Sequence, residues 1–304
     1  MTTCVNVPTA ADVAAAAERI RPYARRTPAM RVEIDGRPVI LKLEHLQRSG
    51  SFKLRGALNA LLTARPARVI TASGGNHGLA VATASALLAL PVTVYVPETV
   101  PTAKARRIEA AGARLVRHGS TYAEAAAAAV IEARTQGSHY VHAYDDPSVI
   151  AGQGTAAAEV IEDFPGVDAF YVAVGGGGLA AGTAVAIGDR TTVAVEPEGC
   201  CALHRALKAG EPIDSPVDSV ASSALGATRT GALPFAVLNN KKTTSLLVSD
   251  KELIEARDYL WEEYRLAVEP AAAAPLAAWL NARLYNALPC IILCGANTDW
   301  LPQD

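Results

Sequence analysis

Three short clusters in the 304-residue chain place glycine, amide, hydroxyl and amine groups where they could bind or transform a small molecule. Gly175-Gly176-Gly177-Gly178-Leu179 follows the apolar run Ala169–Val174 and precedes an alanine-rich helical segment. Glycine lets the backbone approach a ligand closely and take positive φ, and the free N–H groups opening the next helix suit a phosphate. Four consecutive glycines cost too much chain entropy to serve only as a turn. No Gly-Lys-Ser/Thr follows, so this is not a Walker loop. Ser73-Gly74-Gly75-Asn76-His77-Gly78 forms a second strand-to-helix turn, offering a hydroxyl, an amide and backbone N–H groups to a carboxylate or other anion. The third cluster is Lys53, within Ser51-Phe52-Lys53-Leu54-Arg55-Gly56-Ala57.

Taken singly, Lys53 reads as a lysine snorkelling from an apolar segment, and His77 reads equally well as a structural histidine. Two anion-cradling turns together imply a ligand with phosphate at one end and carboxylate at the other. Beside them, a lysine amine is what a carbonyl cofactor needs to form a Schiff base. A rival reading starts from Gly175, Gly177 and Ala180, which satisfy the loose G-x-G-x-x-A pattern. Glu196 ends the following strand, where a ribose-binding acid would sit. That describes a nicotinamide-dependent oxidoreductase, but it leaves Lys53 and Asn76 without roles. A non-catalytic binding protein would keep every motif without turnover.

The elements that must position these clusters alternate along the chain. Arg68–Ser73, Val92–Val96, Ala113–Arg117, Tyr140–Tyr144, Ala169–Val174 and Thr192–Glu196 read as strands. Between and around them, His77–Ala89, Tyr122–Thr135, Ser148–Asp163, Leu179–Ile187 and Lys251–Glu263 read as helices, with a short helix carrying Lys104, Arg106 and Arg107. Strands separated by helices of this length make right-handed βαβ units and parallel sheet, so the fold class is α/β. Gly210–Leu238 reads as a long irregular excursion, and Cys290–Cys294 as a last strand stopping at Gly295.

Composition narrows the partners. Hydrophobic residues make up 50% and charged residues 19%, which excludes wholesale disorder. The formal charge of −2, without a basic stripe, argues against nucleic acid and for a small uncharged or zwitterionic partner. Cys4, Cys200, Cys201, Cys290 and Cys294 have neither zinc-site spacing nor the look of a disulfide framework. Leu79–Val96 is long enough to span a membrane, but Thr83, Ser85, Thr93 and Pro91 make it a helix followed by a strand. Met1–Ala10 carries no signal-peptide pattern. A soluble cytoplasmic protein with no membrane partner is expected.

In these motifs the chain resembles the fold-type II pyridoxal-phosphate enzymes, specifically the serine/threonine dehydratase group related to serine racemase. S-F-K-x-R-G-A at Ser51–Ala57, S-x-G-N-H at Ser73–His77 and G-G-G-G-L at Gly175–Leu179 occur in that group's order. Val268-Glu269-Pro270 and Cys294-Gly295-Ala296-Asn297 complete the likeness over nearly the whole chain. The resemblance implies a tryptophan synthase β-like architecture, with pyridoxal 5′-phosphate between two parallel-sheet α/β domains. Residues 68–137 would form a small mobile domain, and residues 1–67 with 138–304 the large one. Lys53 would carry the cofactor as a Schiff base and act as catalytic base. Phe52 would pack on one ring face and Gly226 on the other, Asn76 would bond the ring hydroxyl, and Gly175, Gly176, Gly177, Gly178 and Leu179 would hold the phosphate. Cys294 would face the pyridine nitrogen. Ser73, Gly74, Gly75, Asn76 and His77 would bind the substrate carboxylate, and a homodimer is the implied assembly.

The implied reaction removes water from a 3-hydroxy-L-amino acid, L-threonine or L-serine foremost, giving a 2-oxo acid and ammonia. Other β-eliminations, β-replacement and racemisation are the alternatives. A thiol at Cys294 is a neutral partner that would not keep the pyridine nitrogen protonated, which favours elimination over transamination. Two departures from the group's pattern matter. Racemases carry a serine where Gly74 stands, and a two-base mechanism needs that second proton carrier. Glu196 matches a divalent-metal position in some relatives, yet Ala202 stands where an aspartate would be expected, so no metal is assigned. The residues after Asn297 are too few for the regulatory domain of feedback-inhibited threonine dehydratases.

Overall fold

The computed structural model describes residues 6–281, 284–298 and 300, so Cys4 and the first five residues lie outside the described residues. The chain opens with helix α1 (Ala10–Ile20), a hairpin of β1 (Ala29–Ile34) and β2 (Arg37–Lys42), and α2 (Lys53–Ala64). It continues through β3 (Val69–Ala72), α3 (Asn76–Leu87), β4 (Val92–Val96), α4 (Thr102–Ala110), β5 (Arg114–Arg117), α5 (Tyr122–Gln136) and β6 (His139–Tyr140). Then come α6 (Pro147–Asp163), β7 (Ala169–Ala173), α7 (Gly178–Ala186), β8 (Thr191–Pro197) and α8 (Ala202–Ala209). The remainder is α9 (Ser222–Leu225), α10 (Ala232–Asn240), β9 (Thr243–Val248), α11 (Asp250–Tyr264), α12 (Pro270–Asn281) and β10 (Pro289–Ile292).

Two sheets organise these elements. A four-stranded sheet in the order β5-β4-β3-β6 is parallel throughout. A six-stranded sheet in the order β1-β2-β10-β7-β8-β9 is parallel except for the β1–β2 hairpin at its edge. Strands covered by helices on both faces read as continuous apolar runs, and every residue of β3 and β7 is buried. The larger core gathers Phe170, Tyr171, Val193 and Ile291 of the six-stranded sheet with the alanine run of α12. The second core joins α2 to α3, β3 and β4 through Leu54, Leu58, Leu61, Val69, Val81 and Val94.

Local sequence sets the helix boundaries. Thr9 with Asp12, Thr121 with Glu124, and Ser249 with Glu252 form reciprocal capping boxes at the starts of α1, α5 and α11. Two expectations are revised. The strand expected over Tyr140–Tyr144 pairs only through His139 and Tyr140, because His142 Nδ1 then accepts the N–H groups of Tyr144 and Asp145 and turns the chain. The irregular stretch Gly210–Leu238 contains α9 and the start of α10, whose Pro234 sits in the first turn, where a missing N–H costs nothing.

No helix among the described residues is long and apolar enough to cross a membrane.

Candidate active site

A cavity of about 630 Å³ lies between the two sheets, and its walls are the clusters named from sequence. Phe52, Lys53, Ser73, Gly74, Gly75, Asn76, His77, Gly175, Gly176, Gly177, Gly178, Leu179, Gly226 and Cys294 all line it. Glu196 does not. Its buried carboxyl accepts the N–H groups of Leu203 and His204 at 2.8 and 2.7 Å, at the start of α8, and burial pushes it up to about 8. Among the described residues no group of three or more His, Cys, Asp or Glu is placed to hold a metal ion.

Lys53 begins α2 at the floor of the cavity. Its Nζ donates to the carbonyl of Ala143 at 2.8 Å and stands 5.1 Å from the centre of the Phe52 ring. Burial pushes the amine down to about 8. The start of α2 is fixed from both sides. Phe52 N–H donates to the Cys294 carbonyl at 3.0 Å, which ties the lysine to the end of β10. Two residues on, fully buried Arg55 bridges Glu44 and Glu159, and buried Lys42 pairs with Glu159 in turn. Arg55 is the motif's structural residue.

The glycine turn between β7 and α7 has the geometry of an anion cup. Gly177 takes φ 96°, in the left-handed region, where a β-carbon would also meet Pro234 at 2.7 Å. A β-carbon on Gly176 would run into the ring of Tyr144, which covers the turn. Among the described residues the N–H groups of Gly175, Gly176, Gly177, Gly178 and Leu179 find no acceptor in the protein. Five unspent donors at a helix N-terminus, four of them on residues without side chains, fit a phosphate.

At the opposite wall, α3 starts from the Ser73–His77 turn. Ser73 Oγ accepts the Gly75 N–H at 3.2 Å, and His77 Nε2 meets Thr71 Oγ1 and the Val141 carbonyl at 2.9 and 3.1 Å. Thr71 donates its own proton to Val141, so Nε2 carries the histidine's proton. Burial pushes His77 down to about 3, and nearby Lys53 adds to the effect, so it stays neutral. Cys294 is likewise held neutral, its thiol pushed up by burial and by Glu269. A lysine amine, a phosphate cup, an amide and a neutral thiol around one cavity fit pyridoxal phosphate in its donors and acceptors.

The structure adds residues to which sequence reading gave no role. Tyr144 covers the glycine turn, and its ring stands edge-on to His142 at 4.7 Å. Glu269 is buried beside Asn76 and is pushed up to about 7, burial outweighing its hydrogen bond from Asn76 and the charge of Lys104. Lys104 reaches the cavity from α4, and Pro97, Val100, Pro101 and Tyr122 form its small-sheet rim. Only Glu269 carried a signal in the sequence, through its place in Val268-Glu269-Pro270.

The chain belongs to the pyridoxal-phosphate dependent enzyme family, whose model matches residues 20–295. It is 37% identical to the L-threonine ammonia-lyase of Geobacter sulfurreducens over 93% of this chain and 74% of that protein. It is 34% identical to the beta-hydroxyaspartate dehydratase of Paracoccus denitrificans over 96% and 97%. Among solved structures, maize serine racemase superposes with a TM-score of 0.91 at 27% identity, over 96% of this chain and 94% of the other.

Proposed function

We propose that this chain is a dehydratase that converts a 3-hydroxy-L-amino acid, L-threonine or L-serine, to the corresponding 2-oxo acid and ammonia. Bound pyridoxal phosphate supplies the electron sink that makes loss of the Cα proton feasible. The glycine turn would hold its phosphate, Phe52 and Gly226 its two faces, Asn76 its ring oxygen and Cys294 its nitrogen. Lys53 would anchor it and would take the Cα proton, a role suited to an amine that burial leaves near pH 8. The N-terminus of α3 with Ser73, Gly75 and Asn76 binds the substrate carboxylate. The hydroxyl then leaves Cβ with a proton as water, and hydrolysis of the released enamine gives 2-oxo acid and ammonia. Closure of residues 68–137 over the cavity would exclude water during the reaction.

The observation that carries elimination over racemisation is Gly74. It has no proton to deliver to the face opposite Lys53, and Val100 occupies the space that a side chain there would need. Free Cys200, Cys201, Cys290 and Cys294, all buried, suit a reducing cytoplasm, and we assign a homodimer of twice 31.6 kDa. The test is product analysis with L-threonine and L-serine, beside Lys53→Ala. Stoichiometric 2-oxo acid and ammonia, abolished in the variant, support the reading; D-amino acid without ammonia overturns it. Light scattering checks the dimer.

A further inference from the structure

The side chain of Asn76 is gripped at both ends by residues far from it in sequence. Its Nδ2 donates to Oε1 of Glu269 at 2.7 Å, and its Oδ1 accepts from Nδ2 of Asn297 at 2.8 Å. Asn76 opens α3 on the small-sheet side, whereas Glu269 immediately precedes α12 and Asn297 follows β10. The grip therefore crosses from one sheet's helices to the other's.

An amide can be turned end for end with almost no change of shape, so what sets its direction is the chemistry of its neighbours. Here both neighbours demand the same direction. An ionised Glu269 can only accept, so it requires the nitrogen of Asn76. The Ser49 carbonyl can also only accept, and it takes an N–H of Asn297 at 2.9 Å. That fixes the nitrogen of Asn297 toward Asn76, which must answer with its oxygen. Neither anchor can swing away. The Glu269 N–H is bonded to the Gly295 carbonyl at 3.1 Å, and its carboxyl packs on Gly295 where a β-carbon would collide with it. Ala296 N–H is bonded to the Gly50 carbonyl at 2.9 Å, which holds the loop that carries Asn297.

The amide nitrogen has two protons, and Glu269 takes one. We propose that Glu269 and Asn297 are positioning residues that lock the Asn76 amide so that an N–H, never the carbonyl oxygen, meets the ring oxygen of bound pyridoxal phosphate. This rests on the reading that Asn76 touches the cofactor. A donor at that point favours negative charge on the oxygen it meets, whereas a turned amide would set two acceptors against each other. The lock thus governs the ionisation of the cofactor as well as its affinity. That separates it from simple packing.

The test uses purified protein loaded with pyridoxal phosphate at pH 8, above the value of about 7 to which burial raises Glu269. Two quantities are read: the dissociation constant of the cofactor and the pH midpoint of its visible absorption band. Glu269→Ala and Asn297→Ala should each weaken binding about tenfold, the worth of one hydrogen bond. Both should move the midpoint in the same direction as Asn76→Ala. In an Asn76→Ala background Glu269→Ala should add nothing. Glu269→Gln, whose carbonyl still accepts, should restore most of the affinity.

Full persistence of the Glu269→Ala effect in the Asn76→Ala background overturns the proposal, as do unchanged constants and midpoints in the single variants. If Asn76→Ala itself changes neither quantity, the assignment of Asn76 to the cofactor fails, and the positioning role falls with it. Should Glu269→Ala not fold, Asn297→Ala and its double variant with Asn76→Ala carry the same comparison.

Discussion

Gly74 and Val100 approach so closely that a β-carbon on Gly74 would lie 2.6 Å from Cγ2 of Val100. The absence of a proton carrier at position 74 is thus built into the packing of the small sheet's loop as well as into the identity of one residue. Gly74→Ser should not create a racemase. The new side chain must displace Val100, and overpacking of this kind costs about 1–3 kcal/mol. The expected result is lower dehydratase activity, a melting temperature reduced by a few degrees, roughly 2–4 °C per kcal/mol, and no D-amino acid. Gly74→Ser combined with Val100→Ala should recover the stability and show the first trace of D-product by chiral chromatography. D-product from the single variant at wild-type stability would contradict this.

With the role proposed for it, Lys53 should set the pH dependence of cofactor capture. Only the neutral amine attacks a carbonyl, and burial lowers this one from 10.5 to about 8. The rate constant for capture of pyridoxal phosphate by the cofactor-free protein should therefore rise with pH to a plateau, with its midpoint near 8. An amine at its ordinary value would be neutral in only about 0.3% of molecules at pH 8, and capture would still be climbing steeply at pH 9. Stopped-flow absorbance across pH 6–10 distinguishes the two curves.

Arg55 carries the stability of the segment that presents Lys53. It is 1% exposed and holds Glu44, which is wholly buried, together with Glu159. Arg55→Met keeps the volume but strands the Glu44 charge, and breaking a buried pair in this way costs about 3–5 kcal/mol. A melting temperature lower by on the order of 10 °C is expected. The double variant Arg55→Met with Glu44→Gln should regain much of the loss, because the uncompensated charge is gone. Thermal unfolding of the three proteins measures this.

What sequence reading reached and what it missed follow from distance along the chain. The glycine turn, the Ser73–His77 turn and the lysine motif each lie within seven consecutive residues, so their chemistry shows in local spacing. The α/β alternation is equally local, since buried parallel strands are continuous apolar runs. The partners of Asn76 lie 193 and 221 residues away, and nothing in the pattern around Glu269 or Asn297 says which side chain they meet. The edge hairpin β1–β2 and strand β9 escaped for a related reason. The residues of β1 and β9 are mostly half-buried or exposed and alternate too weakly to stand out, and pairing with β2 and β8 defines them. Glu196 shows the converse: its position at a strand end suits a ligand site by pattern alone, but α8 takes both of its oxygens.

Gly176 tests the phosphate cup directly. Its α-carbon lies under the ring of Tyr144, and a methyl group there would overlap the ring itself. Gly176→Ala must therefore push Tyr144 off the turn or tilt the peptide groups whose N–H donors have no acceptor in the protein. Either movement weakens phosphate binding, by one or two hydrogen bonds to a charged group at about 1.5–3 kcal/mol each. An increase in the pyridoxal phosphate dissociation constant of at least tenfold is expected. Pyridoxal, which lacks the phosphate, should bind the variant and the parent equally well. Tyr144→Ala added to Gly176→Ala separates the two routes, because it restores affinity only where the displaced ring was at fault. Equal losses for pyridoxal and its phosphate ester would mean that the turn shapes the cavity without holding the phosphate.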